Sequence, residues 1–247
     1  MERSDLIIDT VLLAGKIMIE NGANMSRVDD TLCRIARNAG IEKPRIFETT
    51  TGIMMSIQGK KNAQVESINR RRIDLERISR VNDASRAFQA KKITLAEMHE
   101  KLQIIDQTTR DFGPFLKIIA AALIGGTLEV VYGGLWSDML PTIVISGIGY
   151  ASYYALNRFF HTEFASEFVA AVIIGICALI VTKMHLGTRM GMIIIGGIMP
   201  LVPGVLLTNA VRDLLAGHIL SGAARIIEGF MTACALGMGI ALVLRFS

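Results

Sequence analysis

The residues best suited to chemistry lie where two prolines and a glycine interrupt an apolar run. The interruption reads Pro200-Leu201-Val202-Pro203-Gly204. Each proline lacks a backbone donor and clashes with the preceding turn, so a regular helix cannot pass undisturbed through both. Irregular backbone at membrane depth is buried in protein or lines a cavity, and half-helix ends there bind anionic groups. We predict that Pro200, Pro203 and Gly204 shape a substrate-binding cavity, with a plain proline kink as the alternative.

Four polar residues follow this interruption: Thr208, Asn209, Arg212 and Asp213. In a helix that begins near Pro203, Asn209 and Asp213 lie on one face because they are four residues apart. We predict that Thr208 and Asn209, with nearby backbone amides, bind a substrate carboxylate, and that Arg212 and Asp213 complete the site. The alternative is an interfacial anchor with a surface pair between Arg212 and Asp213.

Two further acids, Glu129 and Glu228, lie inside apolar stretches. A carboxylate at membrane depth is costly and often relays protons, so both are candidates for proton coupling. For Glu129 the alternative is a span that ends earlier. For Glu228 it is an internal pair with Arg225.

Catalytic, metal and cofactor motifs are absent from the sequence. It contains no GxSxG, P-loop or GxGxxG pattern, and Cys33, Cys177 and Cys234 show no CxxC spacing. His161-Thr162-Glu163 with Glu167 has no second histidine nearby and matches no zinc-protease spacing. We therefore predict no catalytic residue, no metal, no cofactor and no disulfide.

The uneven distribution of charged residues along the chain predicts two parts of different character. Residues 1–117 hold 36 charged residues, whereas residues 118–247 hold 12. Mean hydropathy is +0.46 and the isoelectric point is near 9.1. This pattern excludes a wholly soluble enzyme and predicts an α-helical integral membrane protein with an N-terminal cytoplasmic α+β domain over 1–113 and a transmembrane domain over 114–247. No basic stripe is interleaved with aromatic residues, so nucleic-acid binding is not expected.

Uncharged stretches in the second part predict five membrane spans, since a helix crosses a bilayer with about 20 residues. The predicted spans are about 115–135, 139–157, 164–182, 189–210 and 222–244. The distribution of lysine and arginine favours a cytoplasmic N-terminus, and the start of the chain lacks a signal-peptide pattern. Ser247 is then expected outside.

The first part shows helical and strand patterns in alternation. Ser26 and Thr94 are predicted helix caps, and Thr94 with Glu97 fits a capping box. The predicted elements are helices over 5–20, 26–39, 74–90 and 94–107, a strand over 45–58 interrupted at Gly52, a turn over 59–62 and a return strand over 63–69.

The sequence resembles the threonine/serine exporter family, and in particular its larger type of half-subunit. The resemblance covers essentially the whole chain and is most specific around the proline break. The matching features are Gly22 and Asn24, the strand from Ile46 to Ile57 around Gly52, Arg72 with Asp74-Leu75, Ile195 to Gly204, Thr208-Asn209, Arg212-Asp213-Leu214-Leu215, Gly217 and Ser221-Gly222.

The resemblance implies a bacterial inner-membrane exporter of small metabolites, threonine and serine in some members and succinate in others. Long members of the family carry about ten spans in one chain, whereas this sequence has about five. The resemblance therefore implies a second, smaller membrane subunit of the same family, and a homo- or hetero-oligomer. The expected function is secondary export of a small carboxylate-bearing metabolite, driven by the proton-motive force.

Two alternatives belong to other functional classes. The first is a membrane-anchored, hydrolase-like enzyme whose N-terminal part uses Asp29-Asp30, Arg34, Glu48 and the basic run Arg70-Arg71-Arg72; these residues also fit solvated helix faces and a charged strand end. The second is a membrane scaffold, which would share the glycine-rich helix packing but would not need the proline break.

Overall fold

The computed structural model describes residues 3–58, 63–69, 72–108, 112–160 and 164–246. The protein is predominantly helical, and its contacts divide it into two compact units. The first unit comprises residues 1–110 and 205–226, and the second comprises residues 111–204 and 227–247. Residues 205–226 therefore pack with the N-terminal part, although they follow four apolar helices in the sequence.

In the N-terminal part of the first unit, four described helices pack with one small antiparallel sheet. The elements are α1 (Arg3–Glu20), α2 (Met25–Asn38), β1 (Arg45–Glu48), β2 (Gly52–Ser56), β3 (Ala63–Ser67), α3 (Leu75–Gln89) and α4 (Leu95–Gln107). Helix α1 is apolar and mostly buried, and it packs against α2, α4 and the sheet. A β-carbon on Gly15 of α1 would lie 2.5 Å from Ile53 Cδ1 of β2, so helix and sheet approach closely there.

Most of the predicted elements are present, including the capping box of Thr94 and Glu97. The predicted interrupted strand is instead a hairpin, in which β1 pairs with β2 and Arg45 lies opposite Ser56. Thr49 makes this reversal, since its amide donates to the Gly52 carbonyl at 2.8 Å. The cap of α2 is Asn24 rather than Ser26, because the Asn24 side chain accepts from the Arg27 amide at 2.9 Å. The predicted turn over 59–62 lies outside the described residues.

The second unit contains the long apolar helices α5 (Pro114–Val131), α6 (Trp136–Phe160) and α7 (Ala165–Lys183), with the shorter α8 (Met190–Ile198). Helix α9 (Gly204–Leu215) follows a 3-10 turn at Met199–Leu201, and α10 (Ile219–Leu244) is the last helix. Among the described residues, α5, α6, α7 and α10 are long and apolar enough to cross a membrane, and the bent pair of α8 and α9 is the fifth candidate. Each predicted span overlaps one of these four helices or the bent pair, and the bounds of the spans stay a prediction.

The helix is broken at the predicted proline interruption. The regular helix stops at Ile198, a 3-10 turn contains Pro200, and a new helix begins at Gly204. The Gly204 amide donates to the Val202 carbonyl at 2.8 Å, which closes a tight turn over Pro203. The proline pair therefore ends one helix and starts another, as the missing donors require.

Candidate functional site

The second unit holds a carboxylate inside its helix bundle. Glu129 of α5 is fully buried, and its Oε1 accepts a hydrogen bond from the Leu135 amide at 3.1 Å. Its other oxygen, Oε2, is buried and has no hydrogen-bond partner among the described residues. A half-satisfied buried carboxylate is energetically expensive, so this oxygen is an unusual polar atom in the bundle.

Glycines bring the neighbouring backbone against Glu129. A β-carbon on Gly134 would clash with the Glu129 carboxylate. On α8, a β-carbon on Gly196 would lie 2.7 Å from Glu129 Cβ and 2.6 Å from Thr142 Cγ2 of α6. Helices α5, α6 and α8 thus converge on Glu129, one turn before the proline break begins.

A second buried acid, Asp138, lies in the first turn of α6 and is fully paired. Its Oδ1 accepts from the Thr188 amide at 2.9 Å, and its Oδ2 accepts from the Arg189 amide at 2.8 Å. The Arg189 guanidinium donates to the Gly133 carbonyl at 3.0 Å. Asp138 therefore fixes the start of α8. Sequence reasoning missed it because it lies just before the predicted span over 139–157, although an acid in the first turn of a helix is a recognisable signal.

In the first unit, three polar side chains bind the loop between α1 and α2; we call Asn209, Asp213 and Arg225 the loop anchor. Asp213 is fully buried, and its Oδ1 accepts from the amide of Met25, the first residue of α2, at 2.7 Å. A negative charge at a helix N-terminus is stabilised by unpaired amides and the helix dipole. The anchor therefore caps α2 from α9.

Arg225 completes the loop anchor from α10. Its Nη1 donates to Asp213 Oδ2 at 2.8 Å, and its Nη2 donates to the Ala23 carbonyl at 2.7 Å. Asn209 Nδ2 donates to the Gly22 carbonyl at 2.9 Å. Gly22 has a φ of +87°, a conformation that glycine adopts without strain. Each anchor side chain therefore bonds this loop.

The seven predicted substrate-binding residues fall into both units. Pro200, Pro203 and Gly204 lie in the second unit, at the break. Thr208 and Arg212 lie exposed on α9, whereas Asn209 and Asp213 are buried in the loop anchor. That the seven line one substrate site stays a prediction.

The alternative of a surface pair between Arg212 and Asp213 is wrong, since Asp213 is buried and pairs with Arg225. Sequence reasoning considered Arg225 only as a partner for Glu228. Glu228 itself is half-buried on α10, in the second unit. Its role in proton coupling stays a prediction.

The residues of the enzyme alternative include a pair on α2. Arg34 pairs with Asp30 at 3.0 Å and bonds Ser85 and Thr31. Burial and the nearby Asp29 raise the pKa of the Cys33 thiol to about 11, so it is not a thiolate at neutral pH. The Arg70-Arg71 part of the basic run lies outside the described residues.

The described part of the chain contains no group of three or more histidine, cysteine, aspartate or glutamate side chains that could bind a metal ion. The segment His161-Thr162-Glu163 lies outside the described residues.

Comparison with known proteins gives a family and one curated relative. The family model of the threonine/serine exporters matches residues 9–247. A Corynebacterium glutamicum protein named Threonine/serine exporter is 24% identical over 180 residues. That match covers 70% of this chain and 36% of the relative, so the chain spans about a third of the relative's length. No solved structure matches.

Proposed function

This chain belongs to the threonine/serine exporter family, and we propose that it is one subunit of a secondary transporter that exports a small carboxylate-bearing metabolite. The substrate class is threonine and serine, or a dicarboxylate such as succinate. The family name supports export, and four or five apolar helices support a multi-pass membrane protein. The membrane is the bacterial inner membrane, with the N-terminal α+β part in the cytoplasm.

The observation that carries a transport role is Glu129 in the helix bundle. Its carboxylate is fully buried and one of its oxygens has no partner among the described residues. Ionisable groups at membrane depth are costly and mark ion and proton pathways. A scaffold has no need for such a group, whereas a proton-coupled exporter must bind and release protons inside its bundle. Glu129 is therefore our first candidate for the coupling residue, and Glu228 is the second.

The substrate part of the proposal depends on the interrupted helix. Pro200, Pro203 and Gly204 separate α8 from α9, and half-helix ends attract carboxylates. Thr208 and Arg212, both exposed on α9, supply further donors. Asn209 and Asp213 act on export through the loop that they hold.

We also propose that a second, smaller membrane subunit of the same family completes the transporter. The match to the Corynebacterium glutamicum relative leaves about two thirds of that protein without a counterpart here. Purification of this chain after expression with a neighbouring, hydrophobic family member tests this part, and a stable complex is expected.

Transport itself is tested in everted membrane vesicles that contain both subunits. Such vesicles should take up labelled threonine or serine, or succinate, when a proton gradient is present. Uptake should stop when an uncoupler is added, because no nucleotide-binding motif offers another energy source. Vesicles in which the uncoupler leaves the uptake unchanged would overturn proton coupling, and vesicles without any uptake of these solutes would overturn the substrate class.

A further inference from the structure

The first unit contains a polar cleft that the proposed export path does not use. Its volume is about 530 Å³, within the range of about 300–1,000 Å³ for small-molecule sites. It lies between α1, the edge strand β3, the segment before α3 and the last turn of α4. Its lining residues are mostly charged or polar: Lys16, Glu20, Val65, Glu66, Ser67, Asn69, Arg72 and Asp106.

The charges of this cleft have both signs. Lys16 pairs with Glu66 at 2.9 Å, and Glu66, Asp106 and Glu20 together raise the pKa of the Lys16 ammonium. The carboxylates therefore lie close enough to one another to act on the same cation. With Arg72, the described lining of the cleft holds two cations and three carboxylates, so neither a simple anion nor a simple cation matches it.

Two of these charged groups keep unused hydrogen-bonding capacity. The Arg72 Nε donates to Asn21 Oδ1 at 3.0 Å, while its two terminal nitrogens have no partner among the described residues. The half-buried Asp106 carboxylate likewise has no hydrogen-bond partner in the described part of the chain. A guanidinium binds a carboxylate through two parallel hydrogen bonds, and a carboxylate binds an ammonium group through charge-assisted bonds.

We propose that this cleft binds a free α-amino acid with a small side chain, distinct from the transport path. Arg72 binds the α-carboxylate, Asp106 binds the α-ammonium group, and the Lys16–Glu66 pair forms the wall between them. Glu20, Val65, Ser67 and Asn69 complete the described lining, and a cleft of about 530 Å³ suits a small ligand. The choice of threonine as the probe rests on the proposed function, whereas the requirement for both charges does not.

The test is calorimetric titration of the purified full-length chain in lipid nanodiscs with L-threonine. Lactate, which lacks the ammonium group, and ethanolamine, which lacks the carboxylate, should each bind at least about tenfold more weakly, because a charged hydrogen bond is lost. Asp106→Asn and Arg72→Gln should weaken threonine binding by a similar factor. Glu100→Gln, an exposed change on the same helix as Asp106, should leave it unchanged.

Two further variants test the cleft even if Arg72→Gln misfolds, and separate it from transport. Asp106→Arg places a cation where the α-ammonium group binds and should abolish binding, which tests the site independently if Arg72→Gln perturbs the fold. Glu129→Gln should bind threonine normally even if export is lost, which separates this site from the transport function. Absence of threonine binding by the wild-type chain, or unchanged binding in both Asp106→Asn and Asp106→Arg, would overturn the proposal.

Discussion

At the scale of single residues, Asp213 illustrates how burial changes the role of a charged side chain. Beside Arg212 in the sequence, it looks like an exposed acid at the end of a broken span. In the structure it is fully buried, accepts from the Met25 amide and pairs with Arg225 at 2.8 Å. An exposed pair contributes about 0–1 kcal/mol, whereas removal of one partner from a buried pair costs about 3–5 kcal/mol.

We therefore expect Asp213→Asn to lower the free energy of unfolding of the chain by about 3–5 kcal/mol, because it leaves the Arg225 charge buried without its partner. Denaturant unfolding in detergent measures this. Arg212→Gln is the matched control, since Arg212 is exposed on the same helix, and it should change stability by less than about 0.5 kcal/mol. Wild-type stability of Asp213→Asn would contradict the loop anchor.

Glu48 is the residue from which a pH dependence follows. Burial, and then the charge of Asp29, raise its pKa to about 7, and His218 Nδ1 lies 3.9 Å from its Oε1. The folded chain thus binds this proton more tightly than the unfolded chain. The contribution to stability is complete below the unfolded pKa, near 4.5, and is lost as the pH rises through about 7.

We expect Glu48→Gln to stabilise the first unit at pH 8 by about 1–3 kcal/mol, since the glutamine stays neutral. The difference from wild type should disappear near pH 5. Thermal unfolding at a series of pH values measures it, and the same series with His218→Gln separates the histidine from the carboxylate. A difference that does not change with pH would contradict the raised pKa.

Single residues were only partly predictable from the sequence. Local signals sufficed for Thr94 and Glu97, since both partners of a capping box lie within one turn. They failed for α2, where Ser26 and Asn24 are both good caps and the fold selects Asn24. They also failed for the pair of Asp213 and Arg225, because the partner is chosen by tertiary packing rather than by spacing.

At the scale of elements, α8 depends on one glycine for its approach to α5. A β-carbon on Gly196 would lie 2.7 Å from both the Gly125 carbonyl and Glu129 Cβ. The carbonyl belongs to a helix backbone and cannot move away without cost. By contrast, nothing lies within 4 Å of a β-carbon on Gly191 in the same helix.

Gly196→Ala should therefore destabilise the chain by about 1–3 kcal/mol through overpacking. Gly191→Ala is the matched control and should be neutral or stabilising by up to about 1 kcal/mol, because alanine favours helix. Thermal unfolding of the two purified variants compares them directly. Equal midpoints for both would show that α5 and α8 do not pack closely at Gly196.

The positions of the elements were largely predictable where hydrophobic periodicity or the length of an apolar stretch determines the secondary structure. Apolar length located α5, α6, α7 and α10, and the prolines located the break between α8 and α9. The reversal at Thr49 was missed because a β-rich segment with one glycine fits a single interrupted strand as well as a hairpin. The grouping of residues 205–226 with the N-terminal part depends on long-range bonds that no local pattern contains.

At the scale of the whole molecule, the bent pair of α8 and α9 decides the membrane topology. If the pair is one span, the chain crosses five times and its ends lie on opposite sides; if it is re-entrant, four crossings place both ends on one side.

In a variant without native cysteines, we expect a membrane-impermeant maleimide to label Arg245→Cys in intact cells. Lys92→Cys should be labelled only after permeabilisation. Protection of both positions in intact cells would show four crossings.

The central claim is that Glu129 couples export to protons. The most direct measurement compares two modes of threonine transport by Glu129→Gln in everted vesicles that contain both subunits. Glutamine keeps the oxygen that accepts from Leu135 but cannot exchange a proton. We predict that threonine exchange between the two sides persists, while accumulation driven by a proton gradient falls at least about tenfold. One charge moved through 100 mV supplies about 2.3 kcal/mol, and a tenfold concentration ratio takes about 1.4 kcal/mol. Glu100→Gln should keep both modes. Full gradient-driven accumulation by Glu129→Gln would contradict the account.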